Sequence, residues 1–137
     1  MLTPRKVKHR KWHKGRSLKR QTETRGTVVS FGSYGLKSLS QARVKSTQIE
    51  AARKVIARTL TKAGKYWIRI FPDKPVTQKP PEVTMGGGKG AVDHYVFPVR
   101  PGRVLFEIGG IPDGEAQKAL KMSGYKLPIK TRVITKE

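Results

Sequence analysis

The chain contains no cysteine in its 137 residues, which excludes disulfide frameworks, cysteine-bound zinc and thiol nucleophiles. Acid is scarce as well: nine Asp and Glu stand against thirty Lys and Arg, for a formal charge of +21. Such an excess of one sign repels itself in an isolated compact fold, so a polyanionic partner is expected. Long apolar runs are missing too. Nothing approaches the roughly eighteen residues a membrane span requires, and no apolar segment follows the basic start as in a secretory signal. The expectation is a soluble, unsecreted protein with no membrane partner. An organellar transit peptide fits poorly with a lysine-rich leader that holds Pro4 and Gly15 and has no amphipathic stripe.

What the chain does have is unevenly spread. Residues 1–49 carry thirteen basic residues and one acid, Glu23, whereas the remaining 88 net +9. Residues 1–25 show almost no apolar periodicity, so they read as an extended basic arm ordered by its partner, ahead of a single domain over 26–137. Within the arm, RKVKHRKWHKGR supplies seven cations, Arg5, Lys6, Lys8, Arg10, Lys11, Lys14 and Arg16. His9, Trp12 and His13 lie among them, able to stack on unpaired bases. Phosphate binding is the chemistry this pattern suits.

Periodicity places the elements of the body. GTVVSF (26–31) reads as a strand, and the two glycines of FGSYGL (31–36) as a tight turn. A capping box at Thr47 and Glu50 opens a helix running to about Lys62, with Gly64 as its left-handed stop. Ile49, Ala52, Ile56, Leu60 and Ala63 share its apolar face, while Lys54, Arg58, Lys62 and Lys65 fall opposite and offer a second phosphate-facing surface. Arg53 turns toward the apolar side, where it needs an acidic or phosphate partner or must snorkel at the rim. YWIRIF (66–71) reads as a strand covered on both faces and ended by Pro72. HYVFPVR and VLFEI flank a type II turn at Pro101 and Gly102, with Pro98 marking the first as an edge strand. Asp113 caps a short helix over 114–123 that Gly124 stops, and KLPIKTRVIT returns as a final strand. Strands and helices without regular alternation predict an α+β fold of two helices on mixed, largely antiparallel strands.

Tests for catalytic chemistry come out negative. His9 and His13 are spaced like zinc ligands, but Arg10 stands where a metalloprotease needs glutamate, and the surrounding cations oppose a metal ion. MGGGKG lacks the Ser or Thr after Gly-Lys that a P-loop requires for magnesium, since Gly90 follows Lys89. Asp113 and Glu115 are accounted for as charge compensation at a helix start. No enzyme, cofactor, metal site or small-molecule substrate is expected.

One segment resists periodicity altogether. Residues 72–92 hold four prolines and four glycines, a longer stretch than compact domains usually leave without structure. At its centre, KPPEVTMGGGKG (79–90) combines two prolines, four glycines and two lysines.

These stretches point further when taken in order. MLTPRKVKHRKWHKGR, FGSYGL, QIEAARKVIAR, WIRIFPDKPVTQKP, MGGGKG, PGRVLFEI and KLPIKT together resemble, from end to end, the family of bacterial-type large-subunit ribosomal protein sixteen. The resemblance implies an α+β fold and a non-enzymatic structural constituent of the large ribosomal subunit. It implies binding to large-subunit (23S-type) rRNA near the base of the central protuberance, and contact with A-site and P-site tRNA. It further implies neighbouring ribosomal proteins as partners, a part in late subunit assembly, and a monomer within a cytoplasmic ribosome, an organellar one remaining compatible. The rRNA-binding candidates are then Arg5, Lys6, Lys8, Arg10, Lys11, Lys14 and Arg16 of the arm, with Lys54 and Arg58 of the helix. Lys79, Met85, Gly86, Gly87, Gly88, Lys89 and Gly90 become the tRNA-proximal loop. The family usually carries arginine where Thr84 stands, lysine where Gly88 stands and often asparagine at Ala91, so two loop cations are missing here. The alternative that charge alone permits is a nucleoid-like DNA-binding module, which has no use for a Pro/Gly-rich loop.

Overall fold

Burial along VLFEIG shows where the centre of the molecule lies: every residue from Val104 to Ile108 is fully buried. A computed structural model of the chain describes residues 1–15, 21–60 and 63–136. Its described elements run β1 (Tyr34–Ser38), β2 (Ala42–Lys45), α1 (Ser46–Thr59), β3 (Lys65–Ile68), β4 (Lys74–Gln78), β5 (Ala91–Val99), β6 (Val104–Gly109), α2 (Asp113–Gly124) and β7 (Thr131–Thr135). One sheet has the order β3-β6-β1-β7 and the other β2-β5-β4, with antiparallel pairing throughout. This is an α+β fold with two helices.

The core is built as the apolar periods require. α1 contributes Ile49, Ala52 and Ile56, and α2 contributes Ala116, Ala119 and Leu120, all packed with Leu36, Phe106 and Ile108 of the four-stranded sheet. The alanines let the two helices pack closely against each other. Each large side chain removed from water here contributes about 1.5–3 kcal/mol.

Several expectations shift in detail. The helix over 47–62 is Ser46–Thr59; Lys62 lies outside the described residues, and Lys65 belongs to β3. Its start is not boxed by Thr47 and Glu50. Gln48 reaches back instead, accepting the Lys45 amide at 2.9 Å, which frees Glu50 for Arg53. Asp113 is the first residue of α2 rather than its cap, which is Pro112. Its carboxylate is the main influence on the Tyr34 phenol, whose pKa it raises.

GTVVSF is not a strand. Its composition is β-rich, but the amides of Ser30 and Phe31 are donated to the Glu107 carboxylate rather than to a neighbouring strand, and β1 begins only at Tyr34. Nor is FGSYGL a tight turn. Gly32 is needed because a Cβ there would sit 2.5 Å from the carbonyl oxygen of Ile108 on the adjoining strand. YWIRIF, expected to be covered on both faces, yields β3, an edge strand whose residues are half-buried or exposed.

β5 reverses the reading of Pro98: it is the central strand of its sheet. The proline is tolerated because pairing with β4 stops at Lys74↔Val96, so beyond it only β2 runs alongside, with Arg43 opposite Pro98. At Pro101 and Gly102 the turn forms as expected, with the Arg103 amide donated to Arg100 at 3.3 Å and Gly102 at φ +99°. The strands on either side then part into different sheets.

Candidate nucleic-acid interface

The long loop over 72–92 is mostly hairpin. β4 pairs with β5 as far as Gln78↔Ala91, which leaves Lys79–Gly90 as the hairpin tip. Two prolines and four glycines cannot extend the ladder, so the strands end where that composition begins. Residues 80–89 are all exposed, and Met85 reaches 98%. Gly86, Gly87 and Gly88 all have positive φ, at +101°, +74° and +95°, with open space where a Cβ would go. Their requirement is therefore conformational, not steric. A lysine at Gly88, usual for the resembled family, would be strained in this tip. Within it, Lys79 Nζ donates to the Gly86 carbonyl at 2.6 Å.

The arm comes to this tip. Lys11 Nζ donates to the Lys89 carbonyl at 3.0 Å, and Lys89 Nζ returns a hydrogen bond to the Trp12 carbonyl. His9, Lys11, Trp12, His13 and Lys89 line an open cleft of about 500 Å³ between arm and tip. Two residues on, the Lys14 carbonyl accepts from both Arg43 Nη2 of β2 at 3.0 Å and Lys74 Nζ of β4 at 2.8 Å. The arm thus crosses the outer face of the three-stranded sheet. On β5, Val96 is only 2% exposed though outside the main core, and it pairs with Lys45 and Lys74.

At its other end the arm is anchored by Leu2, which packs beside the core and lines a cleft with Ile68, Phe97 and Arg103. The Met1 ammonium also reaches the field of Glu50. That carboxyl is held below the usual range chiefly by its hydrogen bond from Arg53, with Met1 and Lys54 adding to it. Arg53 finds here the acidic partner its position demands: Nε donates to Glu50 at 3.0 Å, Nη2 makes a second bond to the same carboxylate, and Nη1 reaches the Tyr66 hydroxyl at 3.2 Å.

The remaining candidates are spread over exposed surface. Arg5, Lys6, Lys8, Arg10, Lys54 and Arg58 are all exposed. Among the described residues none of these six forms an ion pair. Arg16 lies outside the described residues. The structure brings Lys11, Lys14 and Lys89 together; it does not join Lys54 and Arg58 to them by any hydrogen bond among the described residues.

Sequence reasoning missed Arg43 and Lys74, which share one acceptor from opposite edges of a sheet. The alternation in ARVK, with Val44 buried and its neighbours exposed, was the available signal for Arg43. Lys74 carries the electrostatic mark of the site: its ammonium is pushed below its ordinary pKa by burial first, then by Arg43 and Lys89. Among the described residues no group of three or more His, Cys, Asp or Glu could hold a metal ion, and no helix is long and apolar enough to cross a membrane. The arrangement suits phosphate oxygens, which cations and exposed amides bind without chemistry.

Comparison with known proteins agrees. The family model described as "Ribosomal protein L16p/L10e" matches residues 4–134. Proteins named "Large ribosomal subunit protein uL16" from two strains of Caulobacter vibrioides, NA1000 / CB15N and ATCC 19089 / CIP 103742 / CB 15, are each 54% identical over 136 residues, covering 99% of this chain and 94% of the relative. The chain therefore belongs to the ribosomal protein L16p/L10e family, as a structural constituent of the large ribosomal subunit and not an enzyme.

Proposed function

We propose that the basic arm and the exposed face of α1 grip large-subunit rRNA near the base of the central protuberance, while the hairpin tip reaches toward tRNA in the A site and the P site. The observation that carries this reading is the junction of arm and tip, where, among the described residues, the cations meet carbonyl oxygens and no acid. Lys11, Lys89, Arg43 and Lys74 all donate to the backbone there. Phosphate oxygens are the stronger acceptors, because they carry the opposite full charge that a neutral carbonyl lacks.

The arm then acts as a counterion. Each phosphate it neutralises releases condensed cations, so six such contacts weaken binding roughly 10³-fold between 50 and 200 mM salt on the duplex scale. Sequence readout is not required of it. The tip has a different task. Pro80 and Pro81 restrict its approach, which lowers the entropy lost on ordering, while the glycines let backbone pass close to a tRNA. Thr84 and Gly88 supply no cation, so the tip's location transfers from the family, but contacts from those two positions do not.

Sucrose-gradient fractionation of lysate, before and after a high-salt wash, tests the rRNA half of the proposal. Comigration with large subunits that survives the wash is the expected result. Recovery at the top of the gradient, with duplex DNA bound equally well, would replace it with a nucleoid-like module.

A further inference from the structure

Arg43, Lys74 and Lys89 reach one place from three separate parts of the chain. Arg43 comes from β2, Lys74 from β4 and Lys89 from the hairpin tip. With Trp12 and Lys14 they line a second cleft, of about 300 Å³, at the root of the hairpin. Arg43 and Lys74 donate to the same oxygen, that of Lys14. Their charges are therefore held within a Debye length of each other, where salt screens them poorly.

No acid relieves this crowding among the described residues. Asp73, next in sequence to Lys74, lines the different cleft that holds Leu2 and Arg103. Glu23, Glu50 and Glu107 are each paired with an arginine elsewhere, and Asp93 with His94; Asp113 and Glu115 belong to α2, and Glu82 of the tip does not line this cleft. Residues 16–20, which follow Lys14, contain three cations and no acid. The depressed pKa of Lys74 is the expected consequence, since burial and like charge both disfavour its ammonium.

Carbonyl oxygens are weak compensation for three converging cations, and an anion is the strong one. The geometry also restricts which anion. Trp12 borders the same cleft and remains 41% exposed, so an aromatic face lies beside the cationic groups, as single-stranded nucleic acid sites provide. We propose that Arg43, Lys74 and Lys89 form a seat for one phosphodiester of unpaired RNA, with an adjoining base stacked on Trp12. The seat rests on the reading of the arm as RNA-binding and deepens it. It assigns Arg43 and Lys74 to RNA, and it makes the hairpin root the point where a bound strand fixes arm and tip together. A phosphate placed there takes the donors now spent on Trp12 and Lys14, and Lys89 ties the tip to it.

The test uses the full chain carrying Trp67→Phe, so that Trp12 is its only indole. A uridine decamer is titrated at several salt concentrations, with tryptophan fluorescence and affinity both recorded. The expected result is quenching of Trp12 on binding. Arg43→Gln with Lys74→Gln should lower affinity roughly tenfold at 50 mM salt, reduce the salt slope by about 0.7, the share of one phosphate on a single strand, and abolish most of the quenching. Lys118→Gln with Lys121→Gln on α2, both exposed, removes equal charge and should do none of this. Arg43→Lys with Lys74→Arg should restore the slope. If the Gln pair behaves like the α2 control, the seat is wrong while the arm reading stands. Should the unaltered arm fail to bind the decamer in any salt-dependent way, the underlying reading falls and the seat with it. Inorganic pyrophosphate displacing the decamer at equal phosphate concentration would also overturn an RNA seat, in favour of a small-anion site.

Discussion

Glu107 and Lys74 carry opposite charges in opposite settings. Glu107 is fully buried and fully answered: Ser30 and Phe31 donate their amides, Arg69 Nη1 lies 3.0 Å away, and that guanidinium also sits 5.0 Å above the ring of Phe31. Lys74 is half-buried among cations and answered only by a carbonyl. The difference separates charge that holds the fold from charge that waits for a partner. Among the described residues four acids are committed to neighbouring Arg or His side chains in this way. Within residues 1–15 there is no acid and within the tip only Glu82, so an external polyanion must complete arm and hairpin.

The largest effect should come from breaking the answered charge. Glu107→Ala leaves Arg69 and two amides without their acceptor, and should cost about 3 kcal/mol or more of stability, read as a lower urea midpoint. Little change in the midpoint would mean that water replaces the carboxylate and the pair is not structural.

Next comes the waiting charge. Replacing Lys8, Arg10, Lys11 and Lys14 with alanine should leave the urea midpoint within about 0.5 kcal/mol per site, yet weaken rRNA association strongly. The same change in both quantities would erase the contrast. Between these lies the tip. Gly86, Gly87 and Gly88 replaced by alanine should strain the tip by about 1 kcal/mol per residue or more, since each has positive φ. The body should melt unchanged while tRNA accommodation by ribosomes carrying the variant slows. Normal accommodation would remove the tip from the tRNA path.

The smallest effect belongs to Glu50. Its carboxyl is held below the usual range, chiefly by Arg53, so its contribution is present above the unfolded-state pKa and is lost as pH falls through the lower folded value. Glu50→Gln should therefore lower the melting temperature slightly at neutral pH, change little in acid where the carboxyl is already protonated, and so flatten the acid-side fall. An unchanged acid limb would show that the pair is equally formed in the unfolded chain.

Legibility in the sequence follows the range of the interactions. The stripe Ile49, Ala52, Ile56 is a local pattern, and it placed α1 and its buried face without help. GTVVSF misled because β-branched composition says that a segment is extended, not that its amides meet another strand. Those of Ser30 and Phe31 go to a carboxylate 77 and 76 residues away. Pro98 misled for a related reason, since its tolerance depends on where β4 stops. The arm was legible as charge and the tip as composition. Their meeting was not, because Lys11 and Lys89 are 78 residues apart, and Arg43 reaches Lys74 only through the register of three strands.

The salt dependence of rRNA association, compared between the native chain and the variant lacking Lys8, Arg10, Lys11 and Lys14, tests the central claim most directly. If the arm is unanswered charge completed by phosphate, the slope of log affinity against log salt becomes shallower by roughly three to four. An identical slope in the two proteins would show that those cations never meet RNA, and would contradict the account at its base.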